Sequence, residues 1–244
     1  MTDTGIDAVG ALAEPLRRGL YGYVVRHGGE VSRAEAAEAV GARRNLVAFH
    51  LDKLVEAGLL EVTLRKVSGR EGPGSGRPAK LYRRAGREHS VHLPPRDYAT
   101  AAAVLAEAVQ RAGADEAVHA AAREEGERRG AELAAEGPAT PAALYAWLER
   151  RGYEPVEAAG GAEVRLRNCP FHATAERFPP LACGMNLEML RGVLAGAGAE
   201  GMAARMAPGP DGCCVAITRE RRRPSAPPPQ PLAPIPKPME VDLD

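Results

Sequence analysis

Four cysteines and one nearby histidine are the residues of this chain best suited to bind a metal. Cys169, Cys183, Cys213 and Cys214 all lie in the last third of the 244-residue sequence, and His172 follows the first of them by three residues. Thiolate sulfur and imidazole nitrogen are zinc ligands, and three thiolates with one further ligand also suit an iron–sulfur cluster. We therefore expect a Cys₃His site formed by Cys169, His172, Cys183 and one of Cys213 and Cys214.

The spacing of the cysteines leaves their role open. Separations of 14 and 30 residues do not match the short knuckles of zinc fingers, and no C-x-x-C pair occurs. If Cys213 and Cys214 open the final strand, their side chains point to opposite faces, and only one should reach the site unless the chain leaves strand geometry at Gly212. Free cysteines are also frequent in apolar cores, so buried, unliganded thiols are the alternative.

A second set of side chains, near the amino terminus, is suited to bind duplex DNA. Arg43, Arg44 and Asn45 begin a predicted helix, and in the major groove arginine pairs bidentately with guanine and asparagine with adenine. The hairpin predicted after this helix carries cations suited to phosphate contacts or, at its tip, to the minor groove. These cations are Arg65, Lys66, Arg70, Arg77, Lys80, Arg83 and Arg84.

Local signals predict three helices that position these residues. Pro15 suits the first turn of a helix that ends at Gly28-Gly29. Ser32 and Glu35 form a capping box that starts the second helix, and Gly41 ends it. The third helix is expected from about residue 43 to residue 57.

A hairpin is predicted directly after the third helix. Residues 60–67 alternate apolar and polar side chains, as in a strand with one buried face, and residues 81–84 form the returning strand. Two short helices joined by a tight turn and followed by a hairpin are typical of a winged helix-turn-helix, which we predict for residues 1–92.

The charge distribution supports a nucleic-acid partner for the first third of the chain. Residues 1–96 hold 16 Lys and Arg against 11 Asp and Glu, a net charge of +5, whereas residues 97–244 hold 16 against 21, a net charge of −5. The sequence shows neither a signal peptide nor an apolar run long enough to cross a membrane. We therefore expect a cytoplasmic protein with reduced cysteines.

The remaining sequence divides into three parts. Residues 97–136 are rich in alanine and are predicted to form a helical connector that also dimerises, with a plain intradomain helix pair as the alternative. Residues 140–219 are expected to form a small α+β sensor domain with two hairpins, with Trp147 in its core and with helices at about 172–178 and 185–197, the second of which Cys183 precedes. Residues 220–244 are rich in proline and are expected to be a disordered tail. The predicted fold class is therefore α+β.

The amino-terminal motifs resemble those of the ArsR-related winged-helix regulators, and in particular their SufR-like branch. The resemblance rests on RNLVAFHLDKLVEAGLLEV and GSGRPAKLYRR, and covers roughly residues 10–90. Its most specific elements are the helix signature His50-Leu51-x-x-Leu54 and the wing signature Gly76-Arg77-Pro78. The resemblance implies a homodimeric transcriptional regulator that binds an inverted repeat in double-stranded DNA. We expect His50 itself to be a packed structural residue.

The carboxy-terminal cysteines are similar to those on which SufR-like regulators carry an iron–sulfur cluster. Asn168-Cys169-Pro170-Phe171, Cys183 and Gly212-Cys213 carry this part of the resemblance. The adjacent cysteines at 213 and 214, together with His172, look like an actinobacterial-type variant of the branch. The resemblance implies an iron–sulfur cluster whose loss changes the affinity for DNA, and the donor chemistry leaves zinc as the alternative.

These observations predict a non-enzymatic regulator that binds DNA with its amino-terminal domain and senses a metal or cluster with its carboxy-terminal domain. One alternative is a winged-helix regulator that responds to a small organic effector and whose cysteines are structural. A more remote alternative is a thiol oxidoreductase using Cys169 or Cys183. The missing C-x-x-C motif and the lack of a base beside either thiol count against it.

Overall fold

The structure is a computed structural model that describes residues 4–65, 78–158, 160–209 and 212–219. The chain divides into two compact units, Met1–Asp97 and Tyr98–Asp244. The prediction of a disordered tail at 220–244 lies outside the described residues.

Four helices form most of the described part of the amino-terminal unit, and their ends follow local capping chemistry. The carboxylate of Glu14 accepts hydrogen bonds from the backbone N–H groups of Leu16 and Arg17, which caps the second helix. The capping box of Ser32 and Glu35 is present as predicted. The helices are α1 (Thr4–Ala11), α2 (Pro15–His27), α3 (Arg33–Val40) and α4 (Arg44–Glu56). Of these, α1 was not predicted.

The described residues of this unit also form a three-stranded antiparallel sheet. Its strands are β1 (Val31–Ser32), β2 (Leu60–Arg65) and β3 (Ala79–Arg84), in the order β1-β3-β2. The predicted hairpin of β2 and β3 is therefore present, and the two-residue β1 adds an unpredicted edge. Within β2 only Leu60 of the predicted apolar face is buried, because Val62 and Leu64 extend beyond the core and are exposed.

The core of the amino-terminal unit fixes the rotation of α4. Val47, Leu51 and Leu54 lie on one face of this helix and are fully buried with Leu20 of α2 and Tyr82 of β3. Because these three side chains follow at intervals of four and three residues, they form one stripe, and the opposite face of α4 is left to solvent.

The carboxy-terminal unit combines five helices with a four-stranded antiparallel sheet in the described residues. The helices are α5 (Tyr98–Ala112), α6 (Asp115–Glu136), α7 (Pro141–Arg150), α8 (His172–Arg177) and α9 (Pro179–Gly196). The strands are β4 (Pro155–Glu157), β5 (Glu163–Leu166), β6 (Met202–Met206) and β7 (Val215–Arg219), in the order β4-β5-β7-β6. Both predicted hairpins are present, and the α+β fold class is confirmed.

Glycines allow α6 and α9 to pack with their backbones in contact. Gly126 and Gly130 of α6 face Gly192 and Gly196 of α9, and a Cβ atom at any of the four would overlap a backbone atom of the opposite helix. The two helices therefore belong to one packed layer.

The core of this unit lies between α7, α9 and the sheet. Trp147, Leu148, Leu190, Val193 and Ile217 are among its buried residues, and Trp147 is in the core as predicted. Among the helices of the described residues, none combines the length and the apolar character needed to cross a membrane.

Candidate DNA interface and cysteine cluster

The four cysteines come from three segments of the carboxy-terminal unit, namely the loop after β5, the second turn of α9 and the loop before β7. Cys169 follows β5 by three residues, and Cys213 and Cys214 directly precede β7. The prediction that they open the strand was wrong, because β7 begins at Val215. The prediction that Cys183 precedes a helix was also wrong. It lies inside α9, whose first two positions are the prolines Pro179 and Pro180.

The structure brings the cysteines together in two hydrogen-bonded pairs. The thiol of Cys213 donates to Cys169, and the thiol of Cys214 donates to Cys183. Cys214 also lies close enough to Cys169 and Cys213 for their charges to interact. Since the two residues precede the strand and follow Gly212, whose φ is +93°, the expected opposition of their side chains does not apply.

A buried amide holds the sulfur of Cys213. The side-chain N–H of Asn186 donates to this sulfur at 3.1 Å, and the side-chain carbonyl of Asn186 accepts from the hydroxyl of Tyr153 at 2.7 Å. Within the described ranges, Asn186 is the one polar or charged residue that is fully buried. Sequence reasoning missed it, because nothing local marks an asparagine inside an apolar helix face as a partner of a residue 27 positions away.

Neighbouring thiols and burial shift the pKa values of Cys169, Cys213 and Cys214, and the charge of His172 makes a smaller contribution that lowers the pKa of Cys169. The hydrogen bond from Cys213 lowers the pKa of Cys169 to about 7, although burial opposes this shift. The same bond, together with burial, raises the pKa of Cys213. Burial and the bond to Cys183 raise the pKa of Cys214 to about 12. The cluster therefore favours one thiolate at Cys169.

This donor set fits a soft cation. The four thiols lie in two pairs, and Cys169 is the first of them to lose its proton. A bound metal or cluster would favour deprotonation of the other three as well. In the arrangement seen for the described residues, no three Cys, His, Asp or Glu side chains converge closely enough to hold a metal ion. A bound ion would therefore have to draw the thiols together.

His172 lies beside the cluster but faces outward. Its backbone N–H donates to the carbonyl of Cys169, in a turn that leads into α8. Its imidazole is 62% exposed and lies 3.2 Å from the carboxylate of Glu176. The structure thus places His172 one turn from Cys169, as predicted, but with its ring engaged on the surface of the helix.

At the other end of the chain, the amino terminus of α4 presents the predicted base-reading residues. Arg43 is the N-cap residue and its side chain makes no capping bond, while Arg44 and Asn45 begin the helix. All three side chains are exposed. The buried stripe of α4 fixes this orientation, so Arg43, Arg44 and Asn45 lie together at one exposed end of the helix.

A polar network ties α4 to the neighbouring helix and to the hairpin. The hydroxyl of Tyr82 in β3 donates to Asp52 of α4 at 2.8 Å and accepts from Arg33 of α3 at 2.8 Å. Arg33 and Lys80 also donate to the carboxylate of Asp52, at 3.0 Å and 3.1 Å. Four side chains from three elements therefore fix the hairpin relative to α4.

The network shifts the pKa values of its members. Burial would raise the pKa of Asp52, but hydrogen bonds from Tyr82 and Lys80 and the charge of Arg33 outweigh it and hold this pKa below its ordinary value. Burial and the bond to Asp52 raise the pKa of Tyr82 to about 12. Asp52 is thus ionised and Tyr82 neutral at pH 7.

Residues 12–63 match a family model described as a helix-turn-helix domain. They include α2, α3, the turn at Gly41, α4 and most of β2. The amino-terminal unit contains a helix-turn-helix domain. The comparisons with curated proteins and with solved structures find no match to the chain.

Two of the cations that are predicted to contact phosphates form ion pairs within the amino-terminal unit. Arg65 lies 3.3 Å from Glu30 and Lys80 lies 3.1 Å from Asp52, so both cations also have structural partners. Exposed ion pairs of this kind contribute little to stability, and DNA phosphates can compete for the cations. Lys66, Arg70 and Arg77 lie outside the described residues.

His50 is packed against the start of α2, as predicted. Its Nδ1 atom lies 3.6 Å from the carboxylate that caps this helix, that of Glu14. Sequence reasoning missed this contact and the network of Asp52, because the partners are far apart in sequence. Arg33 and Tyr82, for example, are separated by 49 residues.

Proposed function

We propose that this protein is a DNA-binding transcriptional regulator that reads duplex DNA through the amino terminus of α4. The observation that carries the proposal is the joint exposure of Arg43, Arg44 and Asn45 at the end of the second helix of a helix-turn-helix domain. In this motif the second helix enters the major groove with its amino-terminal residues at the base edges. The hairpin, with Arg65, Lys80 and the undescribed Lys66, Arg70 and Arg77, then contacts phosphates.

The regulator acts as a homodimer on an inverted repeat in this proposal. Val104 and Leu105 of α5 are large apolar residues that are exposed in the carboxy-terminal unit. They support a dimerisation role for the helices of residues 98–136. Two-fold symmetry of the protein is mirrored by two half-sites about one helical turn apart.

Selection of duplexes from a random pool tests DNA recognition. The full-length protein should enrich an inverted repeat, and replacing Asn45 with alanine should relax the base preference within each half-site. If the wild-type protein enriches no sequence, the proposal is contradicted. If Asn45→Ala keeps the base preference of the wild-type protein, the role given to Asn45 is contradicted.

We further propose that the cysteine cluster binds an iron–sulfur cluster or zinc through Cys169, Cys183 and one or both of Cys213 and Cys214, with His172 as a further candidate ligand. The support is the contact of the four thiols in two pairs and the lowered pKa of Cys169. When bound, an iron–sulfur cluster supplies sensitivity to oxidation, whereas zinc supplies structure alone. Binding of this group changes the affinity for DNA only if the group binds with different affinities to two conformations of the regulator, one of which binds DNA more tightly.

Anaerobic purification followed by iron, acid-labile sulfide and zinc analysis tests the second proposal. Iron with sulfide, or zinc, in stoichiometric amounts supports it, provided that Cys169→Ser and Cys183→Ser lose the bound metal. Metal-free, colourless protein contradicts it and favours a regulator that responds to a small organic effector. DNA affinity measured on the same samples shows whether the cluster controls binding.

A further inference from the structure

Two large apolar side chains are exposed on α4, next to the proposed base-reading residues. Leu46 is 47% exposed and Phe49 is 56% exposed. They lie three residues apart, so they are neighbours on the surface of the helix, and Phe49 is also one turn beyond Asn45. The buried stripe of Val47, Leu51 and Leu54 lies on the other side of α4.

The charges around Leu46 and Phe49 indicate which kind of partner covers this exposed pair. Arg43 and Arg44 precede the pair at the amino-terminal end of the helix. Lys53 follows it, with its ammonium nitrogen 5.9 Å from the centroid of the Phe49 ring and 2.6 Å from the carboxylate of Glu56. The apolar pair is therefore bordered by the positive charge of two arginines, which matches a partner with a polyanionic backbone and an apolar feature between its strands. The major groove of DNA is such a surface, because thymine places its C5-methyl group there.

We infer that Phe49 and Leu46 contact thymine methyl groups in the major groove and add a preference for thymine to the polar reading of Arg43, Arg44 and Asn45. This inference rests on the proposed DNA binding through α4. The methyl group is the base feature that an apolar side chain of α4 can distinguish, and Arg43, Arg44 and Asn45 already supply the hydrogen-bonding groups. Burial of one methyl group corresponds to about a fourfold change in affinity.

Replacement of thymine by deoxyuracil tests the inference, because it removes the methyl group and leaves the base-pairing edge unchanged. The duplex selected by the wild-type protein is rebuilt with deoxyuracil at each thymine in turn, and binding is measured by fluorescence anisotropy. We expect the wild-type protein to lose about fourfold in affinity at one or two positions in each half-site. Phe49→Ala or Leu46→Ala should bind the thymine and deoxyuracil duplexes equally at the position that the residue contacts.

Val9→Ala is the matched control. Val9 is 55% exposed on α1, outside the helix-turn-helix motif, and its truncation should leave the discrimination between thymine and deoxyuracil unchanged. Leu46 and Phe49 are each about half exposed and lie outside the buried stripe of α4, so the two alanine variants should fold, and their circular dichroism should match that of the wild-type protein.

Four results overturn the inference. Equal binding of all thymine and deoxyuracil duplexes by the wild-type protein removes the methyl contact while leaving the proposed DNA binding intact. Retained discrimination in both Phe49→Ala and Leu46→Ala shows that other residues read the methyl group. If sedimentation shows that Phe49→Ala alters only the oligomeric state, the pair contacts a second copy of the chain. Absence of any duplex binding contradicts both this inference and the proposed function.

Discussion

The side-chain amide of Asn186 donates a hydrogen bond to the sulfur of Cys213 at 3.1 Å, inside the core of the carboxy-terminal unit. The same amide accepts from Tyr153, so a buried chain of three side chains ends on one of the candidate ligands. Donors to sulfur stabilise its charged form and tune the metal that it binds. Asn186 therefore links the packing of α9 to the chemistry of the cysteine cluster.

Replacing Asn186 with leucine should destabilise the carboxy-terminal unit by about 1–3 kcal/mol. The substitution leaves the hydroxyl of Tyr153 buried without its partner, whereas Tyr153→Phe in the same background removes that cost. Trp147 is the single tryptophan of the chain and lies in this core, so its fluorescence during urea unfolding reports this unit. The exposed Asn45→Ala serves as the control, and equal stability of Asn186→Leu and wild type contradicts the role given to the amide.

Cys169 should be the first cysteine to be alkylated in the reduced, metal-free protein. Its pKa is lowered to about 7 by the thiol of Cys213, so its reaction with iodoacetamide should be half-maximal near that pH. Removal of the donor in Cys213→Ala should move the midpoint toward the ordinary thiol value of 9.0. Peptide mapping by mass spectrometry across the pH range identifies the modified residue. Preferential labelling of Cys183, or an unmoved midpoint in the variant, refutes this assignment.

The amino-terminal unit should lose stability in acid through Asp52. A carboxylate whose pKa is depressed in the folded state stabilises the fold above its unfolded pKa, and this contribution is lost as the pH falls through the lower, folded pKa. We expect the loss to begin near the ordinary value of 3.8 and to continue below it. Asp52→Asn should cost about 1 kcal/mol at pH 7 and flatten the acid dependence, as followed by circular dichroism.

Glu61→Gln is the control for Asp52. Glu61 of β2 pairs with Arg83 of β3 at 2.8 Å, but both side chains are about half exposed. The substitution should therefore change the stability of the unit by less than about 0.5 kcal/mol. An acid dependence of Asp52→Asn that parallels the wild-type curve shows that another carboxylate is responsible.

Adding a methyl group at Gly192 should destabilise the packing of α6 on α9. The Cβ atom of Gly192→Ala overlaps the backbone carbonyl of Arg123, so the helices must separate, at a cost of about 1–3 kcal/mol. Gly19→Ala is the opposite case, because Gly19 lies inside α2 with open space around its Cβ position. That variant should gain about 0.5–1 kcal/mol from helix propensity. Equal effects in unfolding experiments contradict the close approach of α6 and α9.

The parts of the fold that were predicted correctly are those with local signals. The capping box at Ser32, the glycines after α2 and α3 and the alternation that marks β2 as a strand each act within a few residues. The prediction that this alternation gives a buried face was wrong beyond Leu60, because Val62 and Leu64 are exposed. Cys183 was misplaced because the prolines before it indicate a loop in sequence, whereas proline at the first two positions of a helix leaves its hydrogen bonding intact.

The contacts that define the candidate sites are not local and could not be predicted. β1 is two residues long and is a strand only because it pairs with β3. The partners of Asp52 and of Cys213 come from elements that meet only in the folded unit. The residue types at both sites were identified from the sequence, whereas their hydrogen-bond partners required the structure.

The salt dependence of DNA binding tests the central claim most directly. The selected duplex is titrated with full-length wild-type protein, with Arg43→Gln/Arg44→Gln and with the control Arg150→Gln/Arg151→Gln, which removes two adjacent exposed cations from the carboxy-terminal unit. We predict that the α4 variant loses at least about tenfold in affinity and that its slope of log affinity against log salt falls by about 1–2, while the control matches the wild type. An α4 variant with the affinity and slope of the wild-type protein would contradict the claim that α4 binds DNA.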